Sequence, residues 1–177
     1  MEKCWNCGAD KENPNGLCGN CGRFPVLRDE ERLKEFMKYK IYTDGSCSGN
    51  PGPGGWAAIV ISQTGQETEY YGYQADTTNI RMELVAVGRA LHEIPDNSVV
   101  EVYHDLEHIG KWLRNEYKRR DPTVKLLCDS IDSIVSTKGL TVTYVWTRGH
   151  ANDAMNNRVD KLAVNATKEG IKKRGGN

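Results

Sequence analysis

The chain lacks any excess of charge: 24 lysines and arginines are matched by 24 aspartates and glutamates. Bulk electrostatics therefore announce no polyanionic partner, and any nucleic-acid contact must rest on local patches. Long apolar runs are missing too. The longest aliphatic stretch, residues 57–61, falls far short of the roughly 20 residues of a spanning helix, and the N-terminus shows no apolar signal segment. A soluble, cytoplasmic protein is expected, and a monomer. With 177 residues there is room for one domain with a real core plus a small appendage. Without an export signal, the six cysteines point to metal rather than to disulfides.

Four of those cysteines stand at the start. Cys4 and Cys7 form one CxxC pair and Cys18 and Cys21 a second, with ten residues between Cys7 and Cys18. Each pair turns two thiolates toward one centre, and Gly8, Gly19 and Gly22 take the backbone turns. Four soft sulfurs suit tetrahedral Zn²⁺, with rubredoxin-like iron as the chemical competitor. All four positions being sulfur, no place is left for water, so the expected metal is structural. This module, residues 1–25, resembles a small zinc ribbon. Trp5, Arg23 and Phe24 either stack on nucleic acid or cover the metal site. Residues 26–38 read as a linker or short helix, with Leu33, Phe36 and Met37 on one side.

Residues 39–170 read as one α/β domain, followed by a basic tail, 171–177, expected to be disordered. The first strand is expected to end at Asp44, where glycines and prolines follow. Strands at 55–62 and 67–74 continue it as an antiparallel meander turned at Thr64 and Gly65. Thr77, Thr78 and Asn79 offer a cap for a helix over 81–93. A fourth strand at 99–103 closes on His104 and Asp105. A second helix runs through Ile109, Trp112 and Leu113 until Pro122 breaks it; a third spans about 124–135. A fifth strand covers 140–146, and a last helix covers 155–168 and stops near Gly170. Strands one, four and five should be parallel, because crossover helices join them.

Asp44 and Asp105 then stand at neighbouring strand ends, where open sheets carry their sites. Two such acids repel unless a cation lies between them. Glu83 sits among Ala86, Val87 and Ala90, surroundings an unpaired carboxylate avoids. Asp160 sits in the last helix with Asn156 one turn earlier on the same face. Singly, each is an ordinary turn former or helix acid; four together suggest one site.

The motifs Thr-Asp-Gly-Ser with Ser-Gly-Asn-Pro-Gly-Pro-Gly-Gly-Trp, Thr-Thr-Asn-Ile-Arg-Met-Glu-Leu, Tyr-His-Asp, and Trp-Thr-Arg-Gly-His-Ala followed by Asn156 and Val-Asp-Lys-Leu-Ala occur in order over about residues 40–168. They resemble those of type 1 ribonucleases H. The resemblance implies a mixed five-stranded α/β sheet of order 3-2-1-4-5 flanked by helices. It also implies endonucleolytic cleavage of the RNA strand of RNA/DNA hybrids, leaving 5′-phosphate and 3′-hydroxyl ends. Asp44, Glu83, Asp105 and Asp160 fall on the family's metal-binding carboxylates, and His150 on its loop histidine. Carboxylates are hard ligands for Mg²⁺, with Mn²⁺ as an alternative; two ions about 3.5 to 4 Å apart activate the attacking water and stabilise the leaving oxygen. His150 suits proton transfer or product release. Gly45, Ser46, Cys47, Asn50, Asn79, Arg81 and Asn156 are the implied hybrid contacts, reading shape rather than base sequence.

The chain also departs from the pattern. Ile80 replaces a frequent second asparagine, and Glu107 brings an acid where it should repel a phosphate backbone. His104 is expected to be structural. The basic handle is shortened to Lys111, Arg114, Lys118, Arg119 and Arg120 against Glu116, with Trp112 and Tyr117 interleaved, and is expected to face phosphates. No further N-terminal hybrid-binding module is visible, so the ribbon is expected to take over that task. The competing readings are a non-catalytic hybrid-binding or zinc-ribbon interaction protein, which has no need of four carboxylates, and a resolvase-like nuclease, disfavoured by the Asn-Pro-Gly-Pro and Gly-His motifs.

Overall fold

The computed structural model describes residues 37–147 and 153–175. Five strands form one sheet: β1 (Lys38–Cys47), β2 (Gly52–Ser62), β3 (Glu67–Thr77), β4 (Val99–His104) and β5 (Thr141–Trp146). Their order is β3-β2-β1-β4-β5, with β1 antiparallel to β2, β2 antiparallel to β3, and β1, β4 and β5 mutually parallel. The expected topology and strand directions are thus observed. The helices are α1 (Asn79–Glu93), α2 (Glu107–Leu113), α3 (Pro122–Thr137) and α4 (Ala154–Gly175). Among the described residues none is long and apolar enough to cross a membrane.

Strand alternation sends successive side chains to opposite faces, and here both faces are covered. Ile41, Ala58, Val60, Val100 and Val102 pack with Leu84, Val87 and Leu91 of α1, Ile109 of α2 and Ile131 of α3. On the other face Ala57 and Ile59 meet Val159 and Ala163 of α4. Each fully buried aliphatic side chain contributes roughly 1.5 to 3 kcal/mol, so the larger cluster dominates stability and the smaller one chiefly seats α4.

Several boundaries differ from the sequence expectation, each for a physical reason. Asp44 lies inside β1, paired with Ala57, and the strand continues to Cys47. β2 begins at Gly52 and not at Gly55, taking in glycines that were expected to stop the first strand: a Cβ on Gly54 would lie 2.8 Å from the Ser46 carbonyl oxygen, and one on Gly55 would lie 2.5 Å from the Ala163 carbonyl oxygen. They are glycine because β1 and α4 approach closely. The second helix stops at Leu113, well before Pro122; Asn115 then takes a left-handed φ of 59°, a common helix ending. Pro122 opens α3 instead, with Asp121 Oδ1 accepting from the Thr123 and Val124 amides at 2.9 and 2.8 Å, the preferred place for proline.

The expected disordered tail is corrected as far as Gly175. Helix α4 runs through Gly170, which is glycine because a Cβ would strike the Tyr73 ring, and Lys173 Nζ rests 5.3 Å from the centre of that ring. The handle is corrected as well. Arg119 is nearly buried, bonds Asp132 at 2.6 Å and Asp129 at 3.0 Å, and donates to the Trp112 carbonyl. Arg114 pairs with Glu116 at 2.6 Å. These two guanidiniums staple α2 to its surroundings and do not offer free charge to phosphates. Among the described residues, Lys118 and Arg120 have no ion-pair partner.

Candidate active site

Gly45 is the contact that builds the site. A Cβ there would run into the Glu83 backbone nitrogen and lie 2.7 Å from the Met82 carbonyl carbon; only glycine lets α1 come this near β1. Thr78 caps that helix, its hydroxyl accepting from the Arg81 amide at 3.4 Å. Glu83, in the second turn, is thereby placed beside Asp44. Asp105 follows the last residue of β4, next to β1, and α4 carries Asp160 across the other face.

Asp44, Glu83 and Asp105 each present a carboxylate oxygen within 4.8 Å of the others. Asp160 lines the same cleft, of about 410 Å³. Asp44 and Glu83 are buried, at 6% and 2% exposure. Burial, then the charges of Asp105 and Asp160, push the Asp44 carboxyl up to about 8, with the Gly45 amide opposing. Burial first, and the neighbouring acids next, raise Glu83 well above the ordinary range. Glu83 Oε2 is buried without a hydrogen-bond partner among the described residues. An orphaned carboxylate oxygen among acids is costly by itself, and hard oxygen donors converging at this spacing fit a divalent cation such as Mg²⁺.

Gly45, Ser46, Cys47, Asn79 and Asn156 share the cleft wall with the acids. Asn50 is off that wall but tied to it, its Oδ1 accepting from the Asn79 amide at 3.4 Å. Arg81 is turned elsewhere: its guanidinium donates to Thr123 Oγ1 at 3.2 Å, binding α1 to α3, and it does not line the cleft. His150, Cys4, Cys7, Cys18 and Cys21 lie outside the described residues. Two lining residues escaped the sequence reading, Leu106 and Asn157; each neighbours a singled-out residue, which was the available signal.

His104 is fully buried, its Nδ1 3.1 Å from the Leu106 carbonyl oxygen. Desolvation lowers it to about 4, so it is neutral at pH 7 and belongs to the packing. Glu107 is not a bare negative charge. Lys111 holds it at 2.6 Å, while the same ammonium donates to the Tyr117 hydroxyl at 3.2 Å and sits 4.8 Å from the centre of the Tyr117 ring.

Residues 37–168 match the family model described as RNase H. A ribonuclease H of Methylorubrum extorquens is 38% identical over 143 residues, covering 76% of this chain and 62% of its own length. A ribonuclease H of Acetivibrio thermocellus is 36% identical over 148 residues, covering 77% of this chain and 99% of its own. Among solved structures, LC11-RNase H1, isolated from compost by a metagenomic approach, was determined with an RNA/DNA hybrid. That complex superposes with a TM-score of 0.63 at 29% identity, over 75% of this chain and 99% of that one.

Proposed function

Since the chain belongs to the ribonuclease H family, we propose that its cleft hydrolyses the RNA strand of RNA/DNA hybrids, leaving 5′-phosphate and 3′-hydroxyl ends. The observation that carries this reading is the buried, unpartnered Glu83 oxygen converging with Asp44 and Asp105. Asp44, Glu83, Asp105 and Asp160 would hold two Mg²⁺ ions, or Mn²⁺ in their place. Bound there, such ions supply a Lewis acid and a nucleophilic water at neutral pH. The protein's own part is positional: Asn79, Asn156, Ser46 and Cys47 line the approach, and the close approach of α1 at Gly45 seats Glu83 beside Asp44. His150 serves proton transfer or product release. The solved hybrid complex of a neighbour supports the substrate class.

The reading extends to the rest of the chain as a monomer acting in the cytoplasm. Cys4, Cys7, Cys18 and Cys21 hold structural Zn²⁺, and their module keeps the hybrid near the cleft. One experiment tests both parts. Protein of measured zinc content is given labelled RNA/DNA hybrid, duplex RNA and branched DNA with Mg²⁺, Mn²⁺ or chelator. Cleavage of the hybrid's RNA strand alone, dependent on the divalent ion, with about one zinc per chain, is the expected result. An intact hybrid in every metal overturns the function, and zinc-free active protein overturns the ribbon.

The Glu107–Lys111 pair adds a sharper expectation. Lys111→Met leaves Glu107 uncompensated beside the cleft and should weaken hybrid binding about three- to tenfold at low salt, screened away as salt rises. Adding Glu107→Gln should restore it. Binding measured on the two single variants and the double variant checks this; a double variant as weak as Lys111→Met means that the lysine contacts phosphate directly.

A further inference from the structure

We propose that Trp146 is a positioning residue for the metal centre: its indole N–H holds the Asp105 carbonyl and so fixes where the Asp105 carboxylate meets those of Asp44 and Glu83. The need for such a tie arises from topology. The parallel ladder between β4 and β5 ends at the pair His104 and Trp146, so Asp105 is the first residue to leave the sheet. Beyond the ladder, backbone direction has to be set by other bonds. Trp146 Nε1 donates to the Asp105 oxygen at 2.9 Å. One residue earlier, the His104 oxygen accepts from the Thr147 amide at 2.9 Å and from Thr147 Oγ1 at 3.3 Å. One residue later, the Leu106 oxygen faces His104 Nδ1 and accepts from the Ile109 amide at 3.0 Å. The carbonyls on either side of Asp105 are thus held, and the indole holds that of Asp105.

The choice of tryptophan supports a polar role. The residue is 47% exposed, so packing alone would be served as well by an aromatic ring without a donor, while tryptophan adds a rigid donor at the end of a flat arm. Groups that orient a ligand-bearing segment affect metal affinity without touching the ion. Stacking on a nucleic-acid base is the alternative use of a half-exposed indole, and it would act on substrate rather than on metal.

The inference rests on Asp105 being a metal ligand, and the test separates the two. Mg²⁺ alone is titrated into the wild-type chain and into Trp146→Phe, with binding followed by NMR and by the metal-dependent rise in melting temperature. Wild-type protein that shows no Mg²⁺ binding overturns the metal centre itself. With wild-type binding established, Trp146→Phe is expected to bind Mg²⁺ about five- to tenfold more weakly. Its hydrolysis should fall at limiting Mg²⁺ and recover at excess, with the KM for hybrid unchanged. Unchanged Mg²⁺ affinity, or a raised KM at saturating Mg²⁺, overturns the proposal. Should the variant fold poorly, the wild-type Trp146 indole N–H resonance decides: it should shift along the Mg²⁺ isotherm, and an unmoved signal overturns the tie.

Discussion

Asp44→Asn should abolish hydrolysis of hybrid and, in the absence of metal, make the protein more stable. The activity loss is expected at roughly 10³-fold or more, because each 1.4 kcal/mol is a factor of ten and the ion's charge stabilisation is worth several kcal/mol. The gain in stability follows from the same carboxylate. The Asp44 carboxyl stands at about 8 in the fold, against an ordinary 3.8, through burial and the charges of Asp105 and Asp160. A folded value above the unfolded one means that the unfolded chain releases its proton first. The Asp44 contribution to metal-free stability is therefore complete below pH about 4 and drains away as pH rises through about 8. Glu83 shifts in the same direction. Removing one charge by Asn should return about 2 kcal/mol at pH 8, a rise of about 5 °C in melting temperature for a chain of this size. Wild-type protein should gain that stability from Mg²⁺ instead, and the variant should gain little. Melts from pH 4 to 9 with chelator and with Mg²⁺ provide the check. A variant less stable than wild type in chelator, with the same pH slope, would remove carboxylate repulsion as the organising force of the site.

The acids were legible in the sequence only together: an acid beside a glycine turn, an acid in an apolar helix face and an acid after a short strand are each ordinary alone, and their combination with the family motifs marked the site. The strand order was legible through the family motifs, and the parallel pairs through crossover helices. What the sequence concealed are the facts that depend on partners distant along the chain. Asp44 looked like a strand end because Gly52, Gly54 and Gly55 lower strand propensity. Propensity cannot register that α4 passes over Gly55 and that β1 backs onto Gly54. Gly170 looked like a helix stop for the same reason, and its partner is Tyr73. The handle shows the limit of counting charges. Five bases in ten residues promised a phosphate-facing surface, yet Arg119 is consumed by Asp129 and Asp132 of α3, and Lys111 by Glu107. Arg81 likewise finds Thr123. Of the handle's five bases only Lys118 and Arg120 lack an ion-pair partner among the described residues, so on the proposed function recognition of a hybrid would lean on the cleft wall more than the composition suggested.

Gly45→Ala is the substitution that separates packing from chemistry least. The added methyl group meets backbone atoms of Met82 and Glu83, which cannot swing aside as a side-chain tip can, so α1 has to move off β1. That movement loosens Leu84, Val87 and Leu91, all fully buried in the larger cluster, at an expected cost of about 3 kcal/mol and roughly 10 °C in melting temperature. It also carries Glu83 away from Asp44 and Asp105, and a misplacement of about 1 Å in a reacting constellation costs about 10²-fold. Gly65→Ala supplies the comparison. Gly65 has a φ of +83° but open space around its Cβ position, so alanine there costs about 1 kcal/mol of backbone strain and leaves hydrolysis untouched. Melting temperatures and kcat for the two variants, measured at temperatures where both stay folded, distinguish a positional defect from simple destabilisation. Folded Gly45→Ala with wild-type kcat would mean that α1 can retreat without moving Glu83, and that the close approach of helix to strand serves the core alone.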